Sequence, residues 1–128
     1  MRKLRISLWL VAAGVIISGP LSVSGAAFAS AAGTYNFVVN GNPSGTMTIS
    51  SAGTWSDSWT NGTVDSGTWK KNYMMQIMLK VTISSGGDVG CVFHGRLNKT
   101  GISTAAKPGR YVCPSDVNKW YAVTTTSG

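Results

Sequence analysis

The stretch from residue 73 to residue 84 constrains the fold more than any other part of the chain. Its odd-numbered positions carry Tyr, Met, Ile, Leu, Val and Ile, whereas its even-numbered positions carry Met, Gln, Met, Lys, Thr and Ser. Successive side chains of a β-strand point to opposite faces of the sheet. The alternation therefore predicts a long, half-buried strand from Tyr73 to Ser84. Such a strand needs neighbouring strands to pair its backbone N–H and C=O groups.

Shorter alternating runs, separated by turn residues, make up the rest of the chain after residue 30, and none shows clear helical periodicity. The turn signals include a cluster at residues 41–45, the Asn61-Gly62 pair and the glycines at positions 86 and 87. This spacing predicts an all-β fold: a small antiparallel up-and-down β-barrel of about eight strands, with a β-sandwich as the alternative. The further predicted strands cover residues 34–40, 46–50, 54–60, 63–69, 89–97, 102–104, 110–113 and 119–126.

The first 29 residues have the features of a secretory signal peptide. A short basic segment precedes a mostly apolar run, and Ala27-Phe28-Ala29 has the small-x-small form of a signal-peptidase site. We predict a signal peptide at residues 1–29, a single all-β domain at residues 30–128, and a secreted, extracellular protein without membrane attachment after cleavage. The alternative is an uncleaved membrane anchor, but a glycine and a proline at positions 19 and 20 interrupt the apolar run.

The net charge limits the kinds of partner. The whole chain has a formal net charge of +7, with 11 basic and 4 acidic residues. Three of the basic residues lie in the predicted signal peptide, so eight remain against four Asp, which gives +4. The basic residues are scattered, and only Lys70 and Lys71 are adjacent. This distribution does not predict a nucleic-acid partner.

Both cysteines of the chain, Cys91 and Cys113, lie in the predicted domain. In an exported protein, two cysteines most simply form one disulfide. Closing a loop of this length destabilises the unfolded chain by roughly 3 kcal/mol. A reactive thiol pair is the alternative, but the short Cys-x-x-Cys spacing typical of such pairs is missing. We therefore predict a disulfide between Cys91 and Cys113.

Three of the four tryptophans that follow the predicted signal peptide lie in the segment from 53 to 69, which is predicted to form a hairpin. Two registers are open. A two-residue turn at Asn61-Gly62 places Trp59 opposite Val64, whereas a three-residue loop ending at Gly62 places Trp59 opposite Thr63. An Asn-Gly pair favours the first register, because a type I′ turn needs two residues that tolerate positive φ.

In either register Trp55, Asp57 and Trp59 share one face of the hairpin. Two indole rings beside a carboxylate suit a flat or sugar-like ligand, which stacks on the rings while the carboxylate fixes its orientation. We therefore predict that these three residues bind a ligand. In the alternative interpretation the tryptophans fill the barrel or lie over its surface, and Asp57 is solvated. The three-residue loop also places Asp57 opposite Asp65.

Two segments carry a Gly-x-Trp and alternating-strand pattern: GTMTISSAGTW at residues 45–55 and GTWKKNYMMQIMLKV at residues 67–81. This pattern resembles that of small calycin-like barrels, a group that includes the lipocalins, the avidins and the secreted bacterial metalloprotease inhibitors. The resemblance implies a barrel of that type. No binding residue of those families is transferred to this chain.

Residue types needed for catalysis or metal binding are sparse. The predicted domain has one His, four Asp and no Glu, and it lacks a Gly-x-Ser-x-Gly elbow and a second His at metal-ligand spacing. His94 has the opposite strand parity from Cys91 and Phe93, which predicts a His that faces away from the core. We expect no enzyme, no catalytic residue, no metal and no cofactor.

We therefore predict a secreted, non-catalytic binding protein that holds a small apolar or aromatic ligand in its barrel. The alternative is a protein-binding module, such as a secreted enzyme inhibitor or a surface-interaction protein. A cavity with a few convergent polar groups favours the small ligand. A filled interior with apolar loop tips favours a protein partner.

Overall fold

The computed structural model describes residues 30–125 of the chain. The predicted signal peptide at residues 1–29 lies outside the described residues, as do residues 126–128. Among residues 30–125, no helix is long and apolar enough to cross a membrane.

The regular secondary structure of the described residues is β-strand. In chain order the strands are β1 (Gly33–Val39), β2 (Asn42–Ile49), β3 (Thr54–Trp59), β4 (Val64–Lys71), β5 (Gln76–Ser84), β6 (Val92–Asn98), β7 (Gly101–Ile102), β8 (Gly109–Val112) and β9 (Val117–Thr124).

These strands close into a barrel. Antiparallel pairing runs in chain order from β1 to β6, continues from β6 to β8 and from β8 to β9, and returns from β9 to β1. Eight strands thus form a closed barrel, and the short β7 is an extra strand that pairs with β6 and β9. The predicted all-β barrel is confirmed, and the architecture is consistent with a calycin-like barrel.

Strand β5 keeps the predicted alternation over most of its length. Ile77, Leu79 and Val81 are buried in the barrel interior. Ile83, which the alternation places on the same face, is 67 % exposed. The register between β4 and β5 shifts just before it and leaves Thr82 without a partner on β4. A bulge of this kind turns the following side chain to the other face, so the prediction for Ile83 is wrong.

The start of β5 also differs from the prediction. The strand begins at Gln76 rather than at Tyr73, because residues 72–75 form a turn in which Met75 has a φ of 65°. Tyr73 is 92 % exposed in this turn instead of lying on the buried face.

The hairpin between β1 and β2 contains an Asn-Gly pair that forms a two-residue turn. Asn40 and Gly41 both have positive φ, 52° and 81°, and Val39 pairs with Asn42. These are the marks of a type I′ turn. Strand β2 therefore begins at Asn42, inside the cluster at residues 41–45 that was predicted to be a turn.

The hairpin between β3 and β4 contains the second Asn-Gly pair and turns differently. The backbone N–H of Trp59 donates to the carbonyl of Thr63 (2.8 Å), and the N–H of Gly62 donates to the carbonyl of Trp59 (2.9 Å). Gly62 has a φ of 94°, whereas Asn61 stays at negative φ. The loop therefore has three residues, and the favoured two-residue turn is wrong.

The burial of Trp69 explains this register. A two-residue turn would direct the side chain of Trp69 outward, since a shift of one residue exchanges the two faces of a strand. In the three-residue register Trp69 packs against the core, and its Nε1 donates to the carbonyl of Ser50 (2.7 Å). Covering a large ring stabilises the fold by about 1.5–3 kcal/mol, which outweighs a local turn preference.

Aromatic rings fill the middle of the barrel. Phe93 is fully buried, and its ring stacks on that of Tyr111 with centroids 4.0 Å apart. The same ring meets Phe37, Trp55 and Trp120 edge-on at 6.0, 5.6 and 4.8 Å. The interior is therefore occupied by the side chains of the protein itself.

The predicted disulfide between Cys91 and Cys113 is confirmed. It joins the segment between β5 and β6 to the residue that follows β8. A disulfide is compatible with an extracellular protein. This one ties together two connections at the end of the barrel that carries the candidate site.

Candidate functional site

All four acidic residues of the chain meet at one end of the barrel. In an antiparallel barrel, every second connection lies at the same end. The loop between β3 and β4, the segment between β5 and β6, and the segment between β8 and β9 are therefore neighbours. Asp57 and Asp65 flank the first connection, Asp88 lies in the second and Asp116 in the third. These four aspartates and Tyr111 are called the acidic mouth below.

Asp57 and Asp65 form the innermost layer of the acidic mouth. They lie opposite each other on β3 and β4 and are only 3 % and 1 % exposed. Oδ1 of Asp57 accepts a hydrogen bond from the backbone N–H of Asp65 (3.0 Å), and Oδ2 of Asp65 accepts one from Nε1 of Trp59 (2.8 Å). Oδ2 of Asp57 and Oδ1 of Asp65 receive no donor from the residues that the structure describes.

A proton retained by one of the two carboxyl groups explains how these two oxygens can be buried without a donor from another residue. Two adjacent carboxylates in a buried environment repel each other, so one of them takes up a proton. Burial, together with the charge of Asp65, raises the pKa of Asp57 to about 8. At neutral pH Asp57 therefore retains its proton to a large extent, which reduces the repulsion between the two carboxyl groups.

Asp88 and Asp116 continue the acidic mouth toward solvent. Asp88 is half-buried and within hydrogen-bonding reach of Asp65, whereas Asp116 is exposed. Burial, followed by the charges of Asp65 and Asp116, raises the pKa of Asp88. The four carboxyl groups thus extend from the barrel interior to water.

Tyr111 places a hydroxyl group among these carboxyl groups. The residue is 5 % exposed, and its ring is held against Phe93. Its hydroxyl has no hydrogen-bond partner among residues 30–125. Burial and the charges of all four aspartates raise its pKa, so the group stays protonated. A buried hydroxyl without a partner costs about 1–3 kcal/mol, which a ligand can recover by supplying one.

A cavity of about 400 Å³ opens at the acidic mouth. Asp88, Tyr111 and Asp116 line it together with the disulfide and the adjoining loops, and none of its lining residues is Lys, Arg or His. Its volume lies within the range typical of small-ligand sites. The cavity is therefore large enough for a small group and negative in charge.

Exposed aliphatic side chains surround the acidic mouth. Val64, Val89 and Val117 are 51 %, 55 % and 58 % exposed, and each is the sequence neighbour of one of the aspartates. Ile83, turned outward by the bulge in β5, is 67 % exposed. Apolar side chains grouped around a polar centre are a common feature of protein-binding surfaces.

The structure divides the three predicted ligand-binding residues. They share the inward face of β3, as predicted. Trp55 lies deep in the core, where its ring meets Phe93 edge-on and its Nε1 donates to the carbonyl of Lys80 (3.0 Å). Asp57 and the half-buried Trp59 lie instead at the acidic mouth. The alternative in which Asp57 is solvated is wrong.

Sequence analysis did not identify Tyr111, Asp88 or Asp116 as site residues. For the aspartates a signal exists, because each lies at a connection that an antiparallel barrel places at the same end as the loop beside Asp65. For Tyr111 there is no local signal. It is an ordinary member of a short strand, and only the packed barrel shows that its hydroxyl lacks a partner.

The acidic mouth has the chemistry to bind a positively charged organic group. Asp88 and Asp116 offer carboxylate oxygens, and Tyr111 offers a hydroxyl. Ammonium and guanidinium groups donate several hydrogen bonds and pair well with carboxylates. Among residues 30–125, no three His, Cys, Asp or Glu side chains have an arrangement able to hold a metal ion. No protein-family model, no curated protein and no solved structure matches the chain.

Proposed function

We propose that the protein is a secreted, non-catalytic binding protein of the calycin-like type, and that it binds the ammonium or guanidinium group of a small ligand at the acidic mouth. The observation that carries this proposal is the hydroxyl of Tyr111. It is buried, has no partner among the described residues, and belongs to a side chain that lines the cavity together with Asp88 and Asp116, with all four carboxyl groups of the chain close enough to raise its pKa.

The distribution of charge supports a cationic ligand. The chain after residue 29 carries twice as many basic as acidic residues, yet every acidic residue is at this site. Asp88 and Asp116 line the cavity directly, while the buried carboxyl groups of Asp57 and Asp65 lie beneath it. Opposite charges attract more strongly at a partly buried site than in water.

The filled interior supports binding at the mouth rather than in the middle of the barrel. A ligand in the interior would displace the ring of Phe93 and the rings packed against it. The proposal therefore assigns direct contact to Asp88 and Asp116, and the hydroxyl of Tyr111, which is buried beside the cavity, joins them when the mouth opens slightly around the ligand. Asp57 and Trp59, two of the predicted ligand-binding residues, support the site from below.

The accessibility of the carboxyl pair supports binding without catalysis. Two carboxyl groups that share a proton can act as an acid and a base in an enzyme. Such groups must reach the reacting bond of a substrate, and Asp57 and Asp65 are only 3 % and 1 % exposed. We therefore propose that the pair sets the charge of the site and takes no part in a reaction.

A protein partner is a second candidate, and the aliphatic rim favours it. Val64, Val89 and Val117 are exposed around the acidic mouth. A Lys or Arg side chain of a partner would enter the cavity while its apolar neighbours cover these residues. This is the arrangement expected of a protein-binding module, with a charged anchor at the centre and apolar contacts around it.

Ligand titration followed by nuclear magnetic resonance tests the site. The probes are n-butylammonium and guanidinium ions, with butyrate as the anionic control. We expect both cations to shift the signals of Tyr111 and Asp88, and butyrate to leave them unchanged.

For the second candidate, Val-Lys-Val and Val-Gln-Val peptides are compared, and tighter binding of the lysine peptide than of n-butylammonium favours a protein partner. If neither cation nor the lysine peptide shifts these signals, the proposed site is wrong.

Amino-acid variants distinguish an effect on ligand binding from an effect on stability. Tyr111→Phe removes only the unpaired hydroxyl, so we expect n-butylammonium to bind about tenfold more weakly, as for the loss of a hydrogen bond to a charged group, while thermal stability is equal or higher. The double variant D88N/D116N should lose binding. Because it raises the net charge by two, the matched control is S56K/T68K, which adds two charges at exposed positions on the wall of the barrel. Equal losses in both double variants would contradict the proposal.

Secretion is tested separately by the mass of the protein recovered from culture medium. The predicted cleavage site Ala27-Phe28-Ala29 gives a chain that begins at Ser30. We expect this mass, within a few residues, less the mass of the two hydrogen atoms lost when the disulfide forms. Recovery of the full-length chain from the membrane fraction would overturn the proposed secretion.

A further inference from the structure

A second concave region lies on the outer wall of the barrel, away from the acidic mouth. Two adjoining cavities of about 560 and 460 Å³ are formed by β5, β6 and β8 and by the connections next to them. They share Gln76, His94, Gly95 and Arg110. Together they are called the basic groove below. Residues 72–75 and 103–108, which border it, belong to connections at the end of the barrel opposite the acidic mouth.

The groove exists because β6 changes partner in this region. Its first half pairs with β8 and its last two residues pair with β7, which leaves a gap at Gly95. Two glycines form the floor. A Cβ atom at Gly95 would lie 2.6 Å from Cγ2 of Ile102, and one at Gly109 would lie 2.2 Å from the carbonyl oxygen of His94. That carbonyl accepts a hydrogen bond from Nε1 of Trp120 beneath the floor (2.9 Å). Both Cβ positions point toward the barrel interior, so glycine at these positions lets the floor pack directly on Ile102 and Trp120.

The walls of the groove are basic. The lining residues include five Lys or Arg and no Asp or Glu. Within residues 30–125, none of these five side chains makes a hydrogen bond or an ion pair. Burial, together with the charge of Arg110, lowers the pKa of His94, which lies between the two cavities. The five basic residues are Lys70, Lys71, Arg96, Lys107 and Arg110.

This concentration of charge is not apparent along the chain. Eight basic residues follow the predicted signal peptide, and five of them line this one groove. They come from β4, β6, β8 and the connection before β8, which are brought together only by the closed barrel. Unpaired like charges repel each other, so a ligand of opposite charge that lies along the groove relieves that repulsion.

We propose that the basic groove binds an anionic polysaccharide through its sulfate or other oxyanion groups. The length of the groove, which spans two cavities, suits an extended ligand with several charges rather than a single ion. Arginine pairs with oxyanions through two parallel hydrogen bonds, and lysine adds point charges. Gln76 and Thr104 in the lining supply an amide NH2 and a hydroxyl hydrogen suited to sugar hydroxyls, since their oxygens alone are used within the fold.

The lining also favours a polysaccharide over a nucleic acid. Proteins that bind single-stranded nucleic acids stack the bases on aromatic side chains. No Phe, Tyr or Trp lines either cavity of the groove. A sugar chain with charged groups needs the basic walls and the polar lining but no stacking platform. This proposal does not depend on the function proposed for the acidic mouth.

Binding of a sulfated heparin hexasaccharide, measured by calorimetry, tests the proposal. The comparison probes are the same hexasaccharide without sulfate groups, inorganic polyphosphate, and a single-stranded oligonucleotide of equal charge. We expect the sulfated hexasaccharide to bind, to bind more weakly as the salt concentration rises, and to exceed the desulfated sugar at least tenfold in affinity. Polyphosphate binding equal to that of the sulfated sugar supports oxyanion recognition but overturns the requirement for a sugar. Tighter binding of the oligonucleotide overturns the polysaccharide assignment.

Charge-matched variants locate the site. K71Q/R110Q removes two charges from the groove, and K80Q/K99Q removes two exposed charges that line neither cavity. We expect the first variant to bind the sulfated hexasaccharide at least tenfold more weakly and the second to change affinity less than threefold, with both melting as the parent protein does. Equal losses would show that net charge alone attracts the polyanion, and no binding by the parent protein would likewise overturn the proposal.

Discussion

The acidic mouth and the basic groove carry opposite charges and are built from opposite faces of the same closed sheet. Asp57 and Asp65 lie on the inward face, where a short side chain leaves the carboxyl group buried. The basic residues of the groove, such as Lys71 and Arg110, lie on the outward face, and their long stems keep the charged ends in water. We therefore expect charge inside the barrel to be coupled to folding, and charge on its wall to have little effect on folding.

The largest expected effect is the dependence of stability on pH that arises at the acidic mouth. The pKa of Asp57 is 3.8 in the unfolded chain and is raised to about 8 in the fold. Between these values the folded protein holds a proton that the unfolded chain has released, so stability falls as the pH rises, with a slope of up to roughly 1 kcal/mol per pH unit. The raised pKa of Asp88 acts in the same direction, and the lowered pKa of His94 acts in the opposite one below 6.5.

The variant Asp57→Asn isolates this effect. The amide is neutral, keeps an acceptor for the backbone N–H of Asp65, and donates to the Asp65 carboxylate as the protonated acid does. We expect the variant and the parent to melt alike near pH 4, and the variant to become progressively more stable than the parent toward pH 8. A difference that does not change with pH, followed by thermal unfolding from pH 4 to 9, would show that Asp57 is ionised in the fold.

Loss of the disulfide is expected to have the next largest effect. The double variant C91A/C113A should lower the free energy of unfolding by about 2–5 kcal/mol, because the unfolded chain regains its freedom. Cys91 and Cys113 tie the connections of the acidic mouth and none of the groove. Hydrogen exchange should therefore accelerate at residues 85–91 and 113–116 and remain unchanged at residues 103–108. Uniform acceleration would contradict the separation of the two regions.

A smaller effect is expected from the hydrogen bond beneath the acidic mouth. Trp59→Phe removes the Nε1 donor that Asp65 uses, and a buried carboxylate without this partner should cost about 1–3 kcal/mol. The matched control is Trp69→Phe, which removes the same atoms but breaks a bond to the neutral carbonyl of Ser50. We expect the control to lose less stability in urea unfolding at pH 7. The reverse order would show that the hydrogen bond from Trp59 to Asp65 contributes no more to stability than the bond from Trp69 to a neutral carbonyl.

The smallest effect on stability is expected at the basic groove. The variant K71Q/R110Q should change the free energy of unfolding by less than about 0.5 kcal/mol, as is usual for exposed side chains without partners. Urea unfolding in low salt checks this, since repulsion between the basic residues is least screened there. A large change in either direction would show that the groove, like the acidic mouth, is coupled to folding.

Much of the fold follows from local patterns in the sequence. The alternation that predicts the buried side chains of β5 needs no information from elsewhere in the chain, and Ile77, Leu79 and Val81 lie inside as expected. The outward direction of His94 follows from the same parity and is confirmed by its place in the groove on the outer wall. The alternation of apolar and polar residues, together with the turn residues, suffices to predict such features. Each strand packs one face against the core regardless of which strands it pairs with.

The two hairpins show that the same local sequence does not always predict the same turn. Asn40-Gly41 and Asn61-Gly62 are the same pair of residues, yet the first forms a two-residue turn and the second belongs to a three-residue loop. The difference is consistent with the position of Trp69, eight residues beyond Asn61, which packs against the core in only one of the two registers. The candidate site was likewise predicted only in part from the sequence. Asp57 was identified from its hairpin, but only the three-residue loop places Asp65 opposite it.

The sequence by itself determined the all-β class, the number of strands and the disulfide, since these rest on residue spacing and on the cysteine count. Only the tertiary structure decided the hairpin register, the bulge that turns Ile83 outward, and the two charged regions. The physical reason is that closing the barrel places distant segments side by side. Asp88 comes close to Asp65 and to Asp116 in this way, and Lys71 and Arg110 come to line the same cavity, although no local pattern in the chain records that they are neighbours.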